Sequence, residues 1–577
     1  MLENWLDRIG EWNPQVWREV KGRLKYKNIA IASAVSLICQ FFLYLYYRSL
    51  LPVFQHYKDF HRYCIGTRPK NFQGCPIDHG CPNSNTFCVT DKIGNLIINW
   101  QLWWQDFFVG ISVFAMFALL VAGSYILIRD LSKEEGSGSL NLIRLSPQSG
   151  QNIWLGKLLG VPILLYIAVA LAIPLYVFAG LSGDISLTEI ISFWVLLIGA
   201  AAFFYSGSLL FSLFTSWFSG FQSWLGSGAI LGFLYIANFQ DIENSPWDWL
   251  TLFCPSILLP YFISQTDTPY NYPFSHGEIQ SWQWFHLPLG HTGLGVAILA
   301  LLNYALWTYW IGEALNRRFR NPQTTMLSKQ QSYLFTACWI IFPLGFALQS
   351  LGDEGLSKFI HDSHVIPDNL DYFLVLHLIF FLGLIAALSP QRQTLLDWAR
   401  YQHPKVTNYS LLKDLISGHK TPSILAIAIN LIIASIPIAI AILVWGGDFP
   451  QKQEELWYLM LYETIILIYA ALAQLLLLMP SPKRGLWAAA TITGVMTFPP
   501  LILILLSILY YPESDWSSLW LFTVLPGYGF ESPSPTLFIQ LLAVEGIIFG
   551  VLIWRLVVQL RRLSASQSKI MFGEKKI

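Results

Sequence analysis

Charge is what this sequence has least of. Its 577 residues include 35 Lys and Arg and 35 Asp and Glu, so charged side chains make up 12% of the chain, about half the usual share in soluble domains. This scarcity excludes a soluble globular protein, since 54% of the residues are hydrophobic and many of them fall in runs near membrane-spanning length. No basic domain is present, which removes nucleic acid as a partner. No polar stretch is long enough to fold as a soluble nucleotide-binding domain. Closely paired cysteines of the zinc-ribbon type are missing, and "HDSH" (361–364) and "GHT" (290–292) match no nucleophile or metal motif. The first 28 residues lack an apolar signal core, so the first long apolar run is expected to stay in the membrane.

Twelve apolar runs are present: roughly 29–47, 103–128, 158–180, 188–217, 222–239, 291–313, 333–351, 371–389, 423–446, 456–479, 486–510 and 537–558. Each is long enough to cross a hydrocarbon core of about 30 Å. With both termini in the cytoplasm, the inside connections hold 27 Lys and Arg and the outside ones 8, as the positive-inside rule requires. Six of those eight lie in the loop 48–102, which also holds Cys64, Cys75, Cys81 and Cys88. Four thiols in a small segment poor in apolar core suggest two disulfides in an oxidising compartment. Zinc held with His56, His61 or His79 is the rival reading, and the pairing stays open. The outside stretch 353–371, with Asp353, Glu354, His361, Asp362, His364, Asp368 and Asp371, reads as a solvated acidic loop rather than a metal site. Trp-rich edges at 99–106 and 281–288 read as interfacial belts. Glu463 and Glu545 are candidate functional groups because carboxylates inside spans are costly; each could pair with the other, with Asn430 or with His377.

The spans divide into six and six. Trp310 precedes Arg317 and Trp554 precedes Arg561 by the same interval, as Lys157 precedes Pro174 and Lys420 precedes Pro437. Before the last span of each half comes an outside apolar segment too short to cross, 249–262 and 519–530, read as a short re-entrant helix. The expected fold is therefore an all-α integral membrane protein of about twelve transmembrane helices in two tandem six-helix halves. Its parts are a cytoplasmic amphipathic interfacial helix (1–28), a first half (29–320), a diverged second half (321–562) and a cytoplasmic tail (563–577).

The segment 132–157, "SKEEGSGSLNLIRLSPQSGQNIWLGK", is too polar to span and too patterned for a linker. Gly150 and Gly156-Lys157 are one residue too far apart for a P-loop, and Leu158 stands where Ser or Thr must hold magnesium. Leu140, Leu142, Ile143 and Leu145 cluster around Arg144. Ser146-Pro147 then reads as the cap and first turn of a second helix running through Ile153, Trp154 and Leu158 into the third span. Glu134, Glu135, Gly136, Leu140, Leu145, Ser146, Pro147, Gly156 and Lys157 together resemble the cytoplasmic connection after the second span of type-2 ABC exporter permeases. The departure is Ser137-Gly138-Ser139, where that family has Gly-Thr-Leu. The segment "NPQVWREVKGRLKYKN" (13–28), with Asn13 as cap, Pro14 in the first turn and Val16, Trp17, Val20 and Leu24 on one face, resembles the family's connecting helix. The resemblance covers 13–47 and 103–320 and is thin in the second half. There 389–423 stands in the equivalent place without the Glu-Glu-Gly motif and is read as a diverged second coupling element.

This resemblance implies a multi-pass protein of a bacterial plasma (inner) membrane that has no enzymatic activity or cofactor of its own. A separate, dimeric ABC-type ATPase would bind ATP and magnesium. A short coupling helix, with Arg144 and Gln151 beside the motif residues, would pass the ATPase's motion to the spans and export a small-molecule, lipid or glycan substrate. Two other classes fit the composition: a proton-coupled secondary transporter using Glu463 and Glu545, and a membrane-embedded lipid- or glycan-modifying enzyme.

Overall fold

A computed structural model describes the chain except for residues 1–7, 9, 53–60, 66–87, 92–95, 216–219, 240–244, 263–278, 323, 349–364, 402–407, 419, 445–447, 510–518, 521–522, 525–533 and 565–577. The described residues are helical, with three isolated β-bridges and no sheet among them. The protein is a multi-pass helical membrane protein: among the described residues, ten helices are long and apolar enough to cross a membrane. They fall in two compact units. The first runs to Arg320 apart from two short excursions, 244–247 and 283–287. The second contains those excursions and everything from Asn321.

In the first unit, α1 (Pro14–Arg23) precedes α2 (Tyr26–Ser49), and α3 covers Trp100–Gly136. Two shorter helices follow, α4 (Ser139–Leu145) and α5 (Gly150–Gly160). Then come α6 (Ile163–Ser182), α7 (Leu187–Phe214), α8 (Gln222–Phe239) and α9 (Gly293–Arg320). Prolines shape α6. It is separated from α5 at Val161-Pro162 and turns again at Leu171-Ala172 just before Pro174, because proline has no N–H to continue the ladder. A π-helical turn at Ala118–Ala122 interrupts α3. The Tyr205 hydroxyl on α7 donates to the Leu119 carbonyl there at 2.7 Å, and Gly123 gives the phenol room. The segment expected to dip into the membrane at 249–262 forms three short helical turns, Asp248–Thr251, Pro255–Leu258 and Leu259–Phe262. Leu252, Cys254, Ile257 and Leu258 are fully buried within them. Its expected counterpart, 519–530, lies mostly outside the described residues.

The second unit contains α10 (Lys329–Ala347), α11 (Val365–Leu388), α12 (Arg392–Tyr401), α13 (Asn408–Ser417), α14 (Ile424–Val444), α15 (Phe449–Leu477), α16 (Arg484–Leu509) and α17 (Pro535–Ser564). The helices α8 and α10, both read as spans in the sequence, are not among the ten.

The structure corrects one aromatic reading. The Trp-rich edges do not simply face the interface: Trp103 and Trp282 are buried, and Trp103 donates to the Tyr47 carbonyl at 2.9 Å while stacking on Phe107. An indole whose N–H finds a partner contributes most as core. Beside Trp103, Asp106 takes both Arg62 and the Tyr63 hydroxyl, at 2.8 to 2.9 Å. Next to Tyr63, Cys64 is bonded to Cys88, while Cys75 and Cys81 lie outside the described residues. Closing a loop of 24 residues stabilises by about 3 kcal/mol in the chain-entropy account. Reduction, or Cys64→Ser, is expected to lower the unfolding temperature and to change the protease digestion pattern. An unchanged digestion pattern with and without reductant would remove this role.

Candidate functional site: a buried charge cluster beside a short helix

The cluster begins with α1. Asn13 accepts from the backbone N–H groups of Gln15 and Val16, and Pro14 occupies the first turn, so the helix starts where the sequence says it should. Its buried face carries Gln15 and Glu19 as well as Val16 and Val20. That face lies on α5 at Gly156 and Gly160, where an added Cβ would come within 2.5 Å of Gln15 Cγ and Glu19 Cβ. The two glycines, four residues apart, form a small-residue seam that lets the helices touch. Asn13 then donates to the Asn152 carbonyl across the same seam, at 2.9 Å.

Between these glycines Lys157 is fully buried. Its Nζ lies 2.7 Å from Glu134, 2.9 Å from Asp130 and 3.6 Å from Glu19. Arg18 bridges Glu19 (2.8 Å) and Glu134 (2.7 Å), and Arg23 bridges Glu19 (3.0 Å) and Asp130 (2.5 Å). Three cations meet three carboxylates, so the cluster is neutral overall and every charge has a partner, as burial demands. Burial alone would lower the lysine pKa, but Asp130, Glu19 and Glu134 outweigh it and hold the ammonium above its ordinary value. The three carboxylates have oxygens within 4.8 Å of one another, as metal ligands do, yet the ammonium of Lys157 already stands among them.

Above the cluster sits α4. Leu140 and Ile143 are buried, whereas Leu142 is 72% exposed and Leu145 83%. Gly138, at φ 73°, makes the left-handed turn that reverses the chain from α3 into α4. The Ser146 hydroxyl donates to the Ile143 carbonyl at 2.6 Å and closes α4. The cap of α5 is Ser149, which accepts from Asn152 N–H at 3.1 Å. Ser146 is thus not the cap expected from its place before Pro147: the turn is three residues longer, and Gly150 packs against the Asn316 backbone on α9.

The residues singled out in the sequence separate into layers. Glu134 and Lys157 join the cluster, Gly156 seats α1 and Leu140 is core. Arg144 bonds Asn141 at 3.0 Å and, with Glu135, lies in electrostatic range of Arg318 on α9. Gly136, Pro147 and Gln151 are exposed. Glu134, Glu135 and Gly136 belong to the last turns of α3, not to a loop approaching α4. Sequence reasoning missed Glu19, Asp130 and Gly160, and with them the roles of Arg18 and Arg23. The available signal was Glu19, an acid between Val16 and Val20 on the apolar face.

In the second unit, the described parts of 389–423 are built differently. The side chains of Leu395 and Leu396 on α12 are buried, Leu395 among Leu478, Leu556 and Leu560. The end of α13 is held by Lys329, whose Nζ donates to the Leu415 carbonyl (2.6 Å), the Thr421 hydroxyl (2.5 Å) and the Pro422 carbonyl (2.9 Å). Tyr333 adds a bond to the Ile416 carbonyl at 2.8 Å. Burial pushes the lysine down to about 8, with Asp414 partly opposing. A base with a lowered folded-state pKa binds fewer protons than in the unfolded chain between pH 8 and 10.5, so its contribution to stability rises across that window. The unfolding temperature of the protein minus that of Lys329→Met is expected to grow from pH 7 to pH 9. A difference flat in pH would contradict this.

Inside the second unit, Glu463 faces His377 (3.3 Å) and Ser435 (2.7 Å), Glu545 accepts from Thr464, and Asn430 bonds Thr336 and Ser332. The two carboxylates therefore have separate partners. The loop residues Asp353, Glu354, His361, Asp362 and His364 lie outside the described residues.

Compared with known proteins, the chain matches no family model, no curated protein and no solved structure.

Proposed function

We propose that this chain is the membrane-spanning permease subunit of an ATP-driven exporter of the type-2 ABC class. It would sit in a bacterial inner membrane with both termini inside, and a separate dimeric ATPase would hold ATP and magnesium. The observation that supports the reading most is the charge cluster. It ties the first and last parts of the resembling motif, Glu134 and Lys157, to α1 and to the end of α3. A force applied to the exposed face of α4 would therefore reach a spanning helix and an interfacial helix together. Coupling of this kind requires different contacts with the open and closed ATPase, and Leu142 and Leu145 offer a surface for them.

Pairing within the units supports a tandem arrangement of twelve spans, with α8 and α10 counted as the fifth and seventh. In each unit the first span packs on the third, the second on the fourth and the fourth on the sixth: α2 on α6, α3 on α7 and α7 on α9, then α10 on α14, α11 on α15 and α15 on α17. The exported substrate would be a small molecule, lipid or glycan. The test is co-purification of an ABC-type ATPase whose hydrolysis is stimulated when this chain is supplied in lipid. Transport or product formation by the purified chain alone would overturn the reading.

A further inference from the structure

Among the described residues, one histidine and two carboxylates sit deep in membrane-spanning helices: His377 in α11, Glu463 in α15 and Glu545 in α17, all in the second unit. In the first unit's described spans, every Asp, Glu, Lys and Arg lies within eight residues of a helix end. Of the 11 histidines, His377 alone falls inside one of the ten candidate spans. Two units with the same helix pairing thus differ in the chemistry of their interiors.

His377 is fully buried, with Nε2 3.3 Å from Glu463 Oε1. The Ser435 hydroxyl on α14 donates to the same oxygen at 2.7 Å. Four aromatic rings surround the imidazole, with centroids at 4.6 Å for Phe381, 5.8 Å for Trp339, 6.0 Å for Phe373 and 6.5 Å for Tyr462. Aromatic faces and a carboxylate are the environment that accommodates a cation. Neither imidazole nitrogen of His377 nor Glu463 Oε2 makes a hydrogen bond among the described residues, so Nε2 and Oε1 are close but not aligned for one. Each such orphan costs about 1–3 kcal/mol, and apolar packing of equal volume would hold these helices at least as well. Ionisable groups retained at such a cost inside a membrane are there to act.

We propose that His377 and Glu463 form a proton-exchange site in the interior of the second unit. A rotation of the imidazole that brings Nε2 into line with Oε1 lets a proton pass between them, and the proton is exchanged with water when the unit opens. Only N–H and O–H bonds form and break, so no oxidant or co-reactant is needed. Other titratable groups lie on the same elements. On α15, Tyr462 is beside the imidazole, Tyr458 and Tyr469 lie further along, and Glu454 and Glu455 cluster with Asp371 of α11 two turns away. Glu545 of α17 is held by Thr464, the residue after Glu463. The α10 helix contributes Lys329, Tyr333 and Cys338, and α14 contributes no titratable side chain. The end carrying Asp371, Glu454 and Glu455 is the natural entry for the proton.

The site goes beyond the exporter reading and does not depend on it, because its test uses the chain without any ATPase. Infrared difference spectra of the purified chain in lipid, recorded as pH is stepped in H2O and in D2O, are expected to show a carboxyl C=O band sensitive to deuterium. The band should disappear in Glu463→Gln and shift in His377→Gln. If Glu463→Gln fails to fold, the frequency shifts in His377→Gln and Ser435→Ala report the same carboxyl. A band that persists in Glu463→Gln, or the absence of any band altered by His377→Gln or Ser435→Ala, overturns the assignment.

Discussion

Lys157→Met is expected to destabilise the protein by about 3–5 kcal/mol, the cost of removing one partner from a buried ion pair. The ammonium is fully buried and lies within 3.6 Å of three carboxylates. Without it Glu134 keeps Arg18, and Glu19 and Asp130 keep Arg23, but the three acids then face one another with two cations among them. Met fills the volume between Gly156 and Leu158, so the loss reports charge rather than a cavity. Removing an acid as well should recover part of it: Lys157→Met combined with Glu134→Gln is expected to be less destabilised than the sum of the two single variants. Coupling of about 0.5–3 kcal/mol is usual for such contacts. Because the folded-state pKa of Lys157 is raised, its contribution is fully present below the ordinary lysine value of 10.5 and is lost only as pH rises through the raised value. The penalty for Lys157→Met should therefore be the same at pH 7 and pH 9, where that for Lys329→Met changes. Thermal unfolding in detergent at the two pH values tests both lysines together. A loss below about 1 kcal/mol would mean that water reaches Lys157 and that the cluster is surface electrostatics.

Much of the architecture was legible because membrane spans are written as long apolar runs, and ten helices among the described residues are long and apolar enough to cross a membrane. Their ends were less legible. The α3 helix continues eight residues past the expected limit of 128, since nothing in "IRDLSKEEG" forbids helix and its acids find partners on α1. The cap at Ser149 was misplaced to Ser146 because two serines flank Pro147 and either could start a helix. What could not be read was the cluster itself. Asn13 and Asn152, which meet across the seam, are 139 residues apart. "GKLLG" shows that something can approach closely at Gly156 and Gly160, but not what. Glu463 and Glu545 stood out as costly groups, yet only the packing of α11, α14, α15 and α17 separates their partners.

Replacing the two exposed leucines of α4 should have the opposite signature to replacing Lys157. Leu142 and Leu145 are 72% and 83% exposed, so Leu142→Glu with Leu145→Glu is expected to leave folding within about 0.5 kcal/mol for each substitution. If these side chains enter a groove on a partner ATPase, each buries apolar surface worth about 1.5–3 kcal/mol. Losing both would then weaken docking by roughly a hundredfold or more. A lipid-facing role would predict a different neighbourhood. Asn141, Pro147 and Gln151 are exposed around the two leucines, and Gly136 is exposed at the end of α3, so the patch is a small apolar island with a polar rim, the form of a protein contact. The measurement is ATPase stimulation by wild-type and doubly substituted chain in the same lipid, with unfolding temperature as the control. Stimulation lost at unchanged stability places the motor on α4. Stimulation retained by a folded double variant would move the contact elsewhere and leave the charge cluster as scaffold, because the force it was proposed to carry would no longer enter at α4.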